Sequence, residues 1–183
     1  MAWIIVIAVV AVLVIGLITI YNKLVRARNK VENSWKQIDV QLKRRYDLIP
    51  NLVEMVKDYM SYEQEVLQNV TKARAQAMSA QGPKEKGQAE NFLSETLKSL
   101  FAVSENYPEL KANQNVMKLQ EELTSTENKI SFARQLYNDM VMAFNNKVQT
   151  FPSNVIAGAF GFKEREYFEI PEGETGPVAV DLR

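Results

Sequence analysis

The sequence predicts an all-α protein: one N-terminal transmembrane helix, then an up-and-down antiparallel helical bundle with long helices, and a short C-terminal helix and extended tail. Three observations carry that expectation. Residues 3–20 (WIIVIAVVAVLVIGLITI) are apolar apart from one Gly and one Thr, and the first charge is Lys23. Over residues 31–70 the apolar positions advance in alternating steps of four and three, the 3.5-residue mean of left-handed bundle packing. A second stripe of the same period runs over residues 116–144, and no stretch alternates convincingly as a strand.

The apolar run is long enough for a membrane. Eighteen residues at about 1.5 Å each approach the roughly 30 Å hydrocarbon core. Thirteen of them are Ile, Val or Leu, each favouring insertion by about 0.3 to 0.6 kcal/mol near the bilayer centre. A cleaved signal peptide would need a basic start, a shorter apolar core and a small-residue exit. Met1-Ala2-Trp3 carries no Lys or Arg, and Thr19-Ile20-Tyr21 is a poor exit, so a retained anchor is expected over residues 1–22. The basic collar Lys23, Arg26, Arg28 and Lys30 follows before the first acid, Glu32. Basic flanks stay on the cytoplasmic side. The expectation is therefore a single-pass protein of the bacterial inner membrane, N-terminus out and C-terminal domain cytoplasmic. The collar reads first as an orientation signal, with binding of anionic lipid as the alternative.

Net charge is zero but unevenly spread. Residues 22–45 hold eight Lys/Arg against two Asp/Glu, and residues 46–183 hold fourteen against twenty. An acidic domain without a basic, aromatic-interleaved stripe does not suit nucleic acid. The chain has no Cys and no His. Thiol chemistry, Cys-type zinc sites, Ser-His-Asp triads and phospho-histidine relay all need residues that are missing. Neither a GxSxG nor a GxxxxGK[ST] motif occurs. The expectation is a protein that is not an enzyme and takes no cofactor or metal.

The bundle is expected over residues 23–150. Its first helix follows Val31, Trp35, Ile38, Leu42, Arg45, Ile49, Leu52, Val56, Tyr59, Glu63, Val66 and Val70, and should continue until Gly82-Pro83 stops it. Pro50 lies inside this register. Because the register crosses it undisturbed, a kinked continuous helix is favoured over a full turn, which stays open. A shorter helix is expected over residues 84–104, burying Phe92, Leu93, Thr96, Leu97, Leu100 and Phe101. Asn106-Tyr107-Pro108 should break it, with Pro108 opening a last long helix to about Thr150. In the tail, residues 151–183, Ser153 could cap a short helix over 154–162, Tyr167-Phe168-Glu169-Ile170 reads as extended, and 171–177 as a flexible Pro/Gly run.

Two polar residues, Arg45 and Glu63, fall on core positions of the first helix. Arg45 could fix register or partner choice, or snorkel from a loosely packed level; both readings stand. Arg44, Asp47 and Asn51 share one helix face, and Glu127, Arg134, Asn138 and Asn145 form a stripe on the last helix. As a catalytic site these sets lack a nucleophile, so interhelical hydrogen bonding is the expected role.

The motifs resemble the LemA family. Tyr21-Asn22-x-Leu24-Val25, Arg28-Asn29-x-Val31, Trp35-x-Gln37-Ile38-Asp39 and the run from Val40 through Arg44-Arg45, Asp47, Pro50-Asn51 to Val53 carry the likeness. Glu105-Asn106-Tyr107-Pro108, Thr126-Glu127-Asn128, Arg134, Tyr137-Asn138, Asn145 and Gly161-Phe162 extend it along nearly the whole chain. The resemblance implies a bacterial membrane protein with one N-terminal span and an up-and-down bundle; some relatives are associated with magnetosome membranes, others with envelope or stress roles. It implies no catalytic residues. Trp35, Asp39, Arg44, Arg45, Asp47, Asn51, Glu127, Arg134 and Asn138 carry over only as signature positions.

Three functions remain in view: a membrane-anchored scaffold of the cell envelope, self-assembling or holding partners; an accessory or regulator of a membrane-bound protease or enzyme; and a lipid-responsive sensor. The expected partners are membrane lipid and a second copy or another membrane protein. The apolar residues of the tail, Phe151, Val155, Ile156, Phe160, Phe162, Tyr167 and Phe168, should fold back on the bundle or meet another surface.

Overall fold

A computed structural model describes residues 1–60 and 62–169. Among them are six helices and no strand: α1 (Ala2–Lys57), α2 (Gln64–Ser79), α3 (Gly82–Ser104), α4 (Pro108–Lys111), α5 (Gln114–Gln149) and α6 (Ser153–Ala159). The architecture is one long helix with an apolar N-terminal part, followed by a helical domain. The all-α expectation holds.

The first helix differs from expectation at its end. It runs through Pro50 without a turn and stops at Lys57, so the reading of one helix to residue 79 is wrong. The periodicity survives the break because α2 buries a stripe of its own: Leu67, Val70, Ala73 and Ala77. Met60, fully buried between the two helices, forms part of the connection, with its N–H bonded to the Val56 carbonyl. Glu63 and Val66 are only half-buried, so Glu63 is not a core residue. The last long helix is also interrupted. The single turn α4 is followed by Asn113, whose side-chain oxygen accepts from the N–H groups of Asn115 and Val116 and so caps α5. Asparagine competes for the backbone in this way and favours caps over helix interiors.

Two compact units make up the chain: Met1–Gln37 with Gln135–Glu166, and Ile38–Arg134 with the segment from Tyr167. In the first, Trp35 lies edge-on to Tyr137 at 5.3 Å, and Tyr21 lies against Phe160 and Phe162 at 4.8 and 5.8 Å. Low numbers on α1 thus meet high numbers later in the chain, the antiparallel arrangement expected. Leu24, Val141 and Phe144 are fully buried. Helix α6 is shorter than the predicted 154–162, and the Ser153 hydroxyl donates to the Thr150 carbonyl instead of capping it. Gly161, at φ +70°, ends it, with the Phe162 N–H bonded to Ala157 and the Gly161 N–H to Gly158, the left-handed closure that favours glycine. Beyond it Asn145 clamps the chain on α5: its amide donates to the Arg165 carbonyl at 2.9 Å and accepts the Arg165 N–H at 2.8 Å.

In the second unit α2 and α3 pack together. Small residues (Ala73, Ala77, Ala80 and Ala89) are buried there. Leu93, Leu97 and Leu100 form the buried face of α3 as expected, but Phe92 is 47% exposed and Phe101 half-buried. The stripe on α5 follows the predicted register through Val116, Leu123, Thr126 and Ile130. Phe168 is buried, with the Arg134 guanidinium 4.9 Å over its ring. The tail beyond residue 169, including the expected flexible run over residues 171–177, lies outside the described residues.

Candidate functional site

The heptad register of α1 drives Arg45 into the second unit, where its side chain is 3% exposed. A buried guanidinium must be paired, because an isolated charge in low dielectric costs several kcal/mol or more. Its partners come from two other helices. Nη1 donates to Glu90 Oε2 of α3 at 3.1 Å, and Nη2 donates to Ser94 Oγ, one turn further on, at 2.8 Å. Glu127 of α5 completes the cluster. Its Oε2 lies 2.9 Å from Arg45 Nη1 as an ion-pair contact that is not aligned as a hydrogen bond, and its Oε1 accepts from Ser94 at 3.0 Å.

Glu90 is fully buried. Burial raises its pKa, and Arg45, Tyr46 and Arg134 oppose that rise. The Tyr46 hydroxyl donates to Glu90 Oε1, with the Ala77 carbonyl oxygen of α2 3.2 Å from the same hydroxyl. The phenol is held well above its ordinary range, first by burial and then by the Glu90 charge. With Glu90 protonated, the carboxyl proton could go to Tyr46 and the phenol proton to Ala77, so the geometry offers partners in both protonation states.

Arg74 of α2 explains how α1 passes through Pro50. Proline has no N–H, so the carbonyl four residues earlier, that of Tyr46, loses its helical partner. Arg74 Nε donates to that carbonyl at 2.8 Å. The bond missing within the helix is made from outside it.

The structure joins some of the signature residues and not others. Arg45 and Glu127 share the buried cluster. Arg134 donates to Asn91 Oδ1 at 3.2 Å. Arg44 reaches Glu122 at 3.5 Å in an exposed pair of small energetic weight. Asp39, Asp47 and Asn51 are exposed, so the Arg44/Asp47/Asn51 face is no enclosed site; partial burial raises the Asp39 pKa, with Lys86 opposing. Trp35 and Asn138 belong to the first unit, where Asn138 is half-buried. In the collar Lys23, Arg26 and Lys30 are exposed, whereas Arg28 is half-buried beside Glu32 with its guanidinium 5.5 Å from the Phe162 ring.

Glu90, Tyr46, Ser94 and Arg74 were not anticipated as site residues. Glu90 did carry a signal, since it continues the Leu93, Leu97, Leu100 stripe one step back. The cluster holds two acids, a phenol, a serine hydroxyl and a cation, and among the described residues no group of three or more potential ligands could hold a metal. Its arrangement ties α1, α2, α3 and α5 together.

Comparison with known proteins agrees with the motifs. The profile of the LemA family matches residues 34–182. Protein LemA of Metamycoplasma hominis is 25% identical over 154 residues, 84% of this chain and 70% of that protein. Magnetosome protein MamQ 2 of Paramagnetospirillum magneticum is 25% identical over 189 aligned positions, 88% of this chain and 70% of the relative. Magnetosome protein MamQ of Magnetospirillum gryphiswaldense is 24% identical with the same coverage. With its candidate N-terminal span and a family profile matched over residues 34–182, the chain belongs to the LemA family.

Proposed function

We propose that the protein is a membrane-anchored scaffold of the bacterial cell envelope, self-assembling or holding partner proteins beside the inner membrane, and that it is not an enzyme. The observation that carries this is the continuity of α1. The apolar N-terminal part of α1 is long enough to cross a membrane, and none of that stretch is buried within the molecule. The same helix then runs unbroken to Lys57 and supplies Arg45 to the buried cluster. One helix thus contributes both the apolar segment and a member of the buried cluster, which suits an anchored scaffold. The Arg45 cluster suits the same role, because buried ionic groups fix which helices meet. The magnetosome names of two relatives agree with service at a membrane.

In this reading the N-terminus faces out and the domain faces the cytoplasm, which the basic flank supports. Tethering copies in one membrane raises their effective concentration, so weak contacts suffice for a homo-oligomer. The size of the full-length protein in native-lipid particles and in mild detergent tests the proposal. A particle several chains large, or one with a stoichiometric partner, is expected; a bare monomer in both refutes it. A reporter after Arg183 that is active only outside the cytoplasmic membrane would overturn the orientation.

A further inference from the structure

Part of the tail's apolar surface does fold back: Ile156, Ala157 and Phe162 are buried. Phe151, Val155 and Phe160 are not, at 81%, 60% and 64% exposed. They lie in the turn after α5, in α6 and at its end. Their level in the first unit is set by two contacts. The Phe160 ring is 4.8 Å from that of Tyr21, the residue directly after the apolar run. Lys147, near the end of α5, shares a hollow of about 410 Å³ with Lys23, Arg26 and Lys30 of α1, floored by Ala27 and Ala143. Since α5 runs antiparallel to α1, the chain after Lys147 continues toward the span. Phe151 follows four residues further on, in the turn that closes α5.

Four cations and no acid line the hollow. Among the described residues none of them is ion-paired, and Arg26 and Lys147 bond only to helix carbonyls. Headgroups occupy roughly 5 to 7 Å on each face of a bilayer, the depth at which Lys23 and Arg26 follow the span. Three large apolar side chains beside a cationic hollow, at the end of a membrane helix, match the layering of acyl chains and phosphates.

We infer that the α5–α6 corner is a second membrane contact, with Phe151, Val155 and Phe160 resting at the headgroup–acyl boundary and the phosphate of an anionic phospholipid held by Lys147 together with Lys23, Arg26 and Lys30. The contact rests on the anchor reading but not on self-assembly. Lys147 is distant in sequence from the span, so an orientation signal alone would not require it.

The chain has no cysteine, which makes single spin-labelled thiols simple to place. Full-length protein carrying Phe151→Cys, Val155→Cys or Phe160→Cys is reconstituted in phosphatidylglycerol nanodiscs, with Val10→Cys marking the span and Phe132→Cys marking water. Collision with oxygen should exceed collision with a polar nickel complex several-fold at 151, 155 and 160, as at 10 and opposite to 132. Labels at the corner as open to nickel as at 132, while 10 is lipid-exposed, overturn the contact and leave the anchor intact. Labels shielded from both reagents mean that protein covers the corner, which also overturns it. In the second arm, the wild type should retain phosphatidylglycerol over phosphatidylcholine in mild detergent. Lys30→Gln/Lys147→Gln should reduce that preference several-fold and Lys118→Gln/Lys129→Gln should not. Equal effects of the two pairs overturn the phosphate site, and displacement of the lipid by millimolar inorganic phosphate overturns its assignment to a phospholipid.

Discussion

The Arg74–Tyr46 bond can be tested against the proline that makes it necessary. Pro50 lies seven residues before the end of α1, and an interior proline costs a helix about 3 kcal/mol, partly through the lost bond to the carbonyl four residues back. Here that carbonyl, on the buried residue Tyr46, accepts Arg74 Nε at 2.8 Å. Replacing Arg74 with Met keeps the aliphatic stem and removes the donor. A hydrogen bond from a charged donor is worth roughly 1.5 to 3 kcal/mol, and that is the expected loss in the Pro50 background. In Pro50→Ala the restored backbone N–H can bond the Tyr46 carbonyl itself, so Arg74→Met should then cost under about 1 kcal/mol. The coupling in the double-mutant cycle should be about 1 to 2 kcal/mol, above the roughly 0.3 to 0.5 kcal/mol scatter of independent sites. Urea denaturation of the four full-length proteins in one mild detergent, followed by far-ultraviolet circular dichroism, measures it. Arg74→Met costing the same in the Pro50→Ala background as beside the native proline would refute the compensation.

Three further outcomes follow from the packing. Arg45→Met strands the buried Glu90 carboxylate and should destabilise the domain by about 3 to 5 kcal/mol at pH 7. Burial already raises the Glu90 pKa, and a carboxyl whose folded pKa is raised loses its charge penalty as pH falls through that value toward the unfolded one; the variant's deficit should therefore shrink between pH 7 and about 4.5, and a deficit that grows would contradict this. Gly87→Ala would place a Cβ 2.8 Å from the Glu169 nitrogen and 3.0 Å from its carbonyl oxygen, so the backbone must part there; faster amide exchange over residues 167–169 is expected, and unchanged exchange argues against that close approach. Tyr137, buried and donating to the Glu166 carbonyl, has its pKa pushed up to about 12, chiefly by burial; stability should be intact below pH 10 and fall by about 2 to 3 kcal/mol between pH 10 and 12. Tyr137→Phe should blunt that alkaline loss, and an identical pH profile would show that Tyr137 does not carry it.

The apolar run of membrane length, the all-helical class and the face of α5 were legible in the sequence because each depends on local period or composition. An apolar run of membrane length and a three-four repeat are properties of neighbouring residues. What covers a buried charge is not local. Arg45 announced itself as a polar residue in an apolar seam, but its partners are 45 and 82 residues away, on α3 and α5. Only packing selects Glu90 from the many acids of the chain. The unbroken register across Pro50 favoured a continuous helix there, while the donor that completes it comes from α2. Periodicity also misled where a break preserved it, at residues 58–63, since a buried stripe does not reveal whether one helix or two carries it. In the first unit the collar was readable as charge beside a span, yet Lys147 joined it through antiparallel packing alone. Sequence determined which faces must be buried or charged; tertiary structure decided which of them meet, because pairing depends on distances in space that spacing along the chain does not encode.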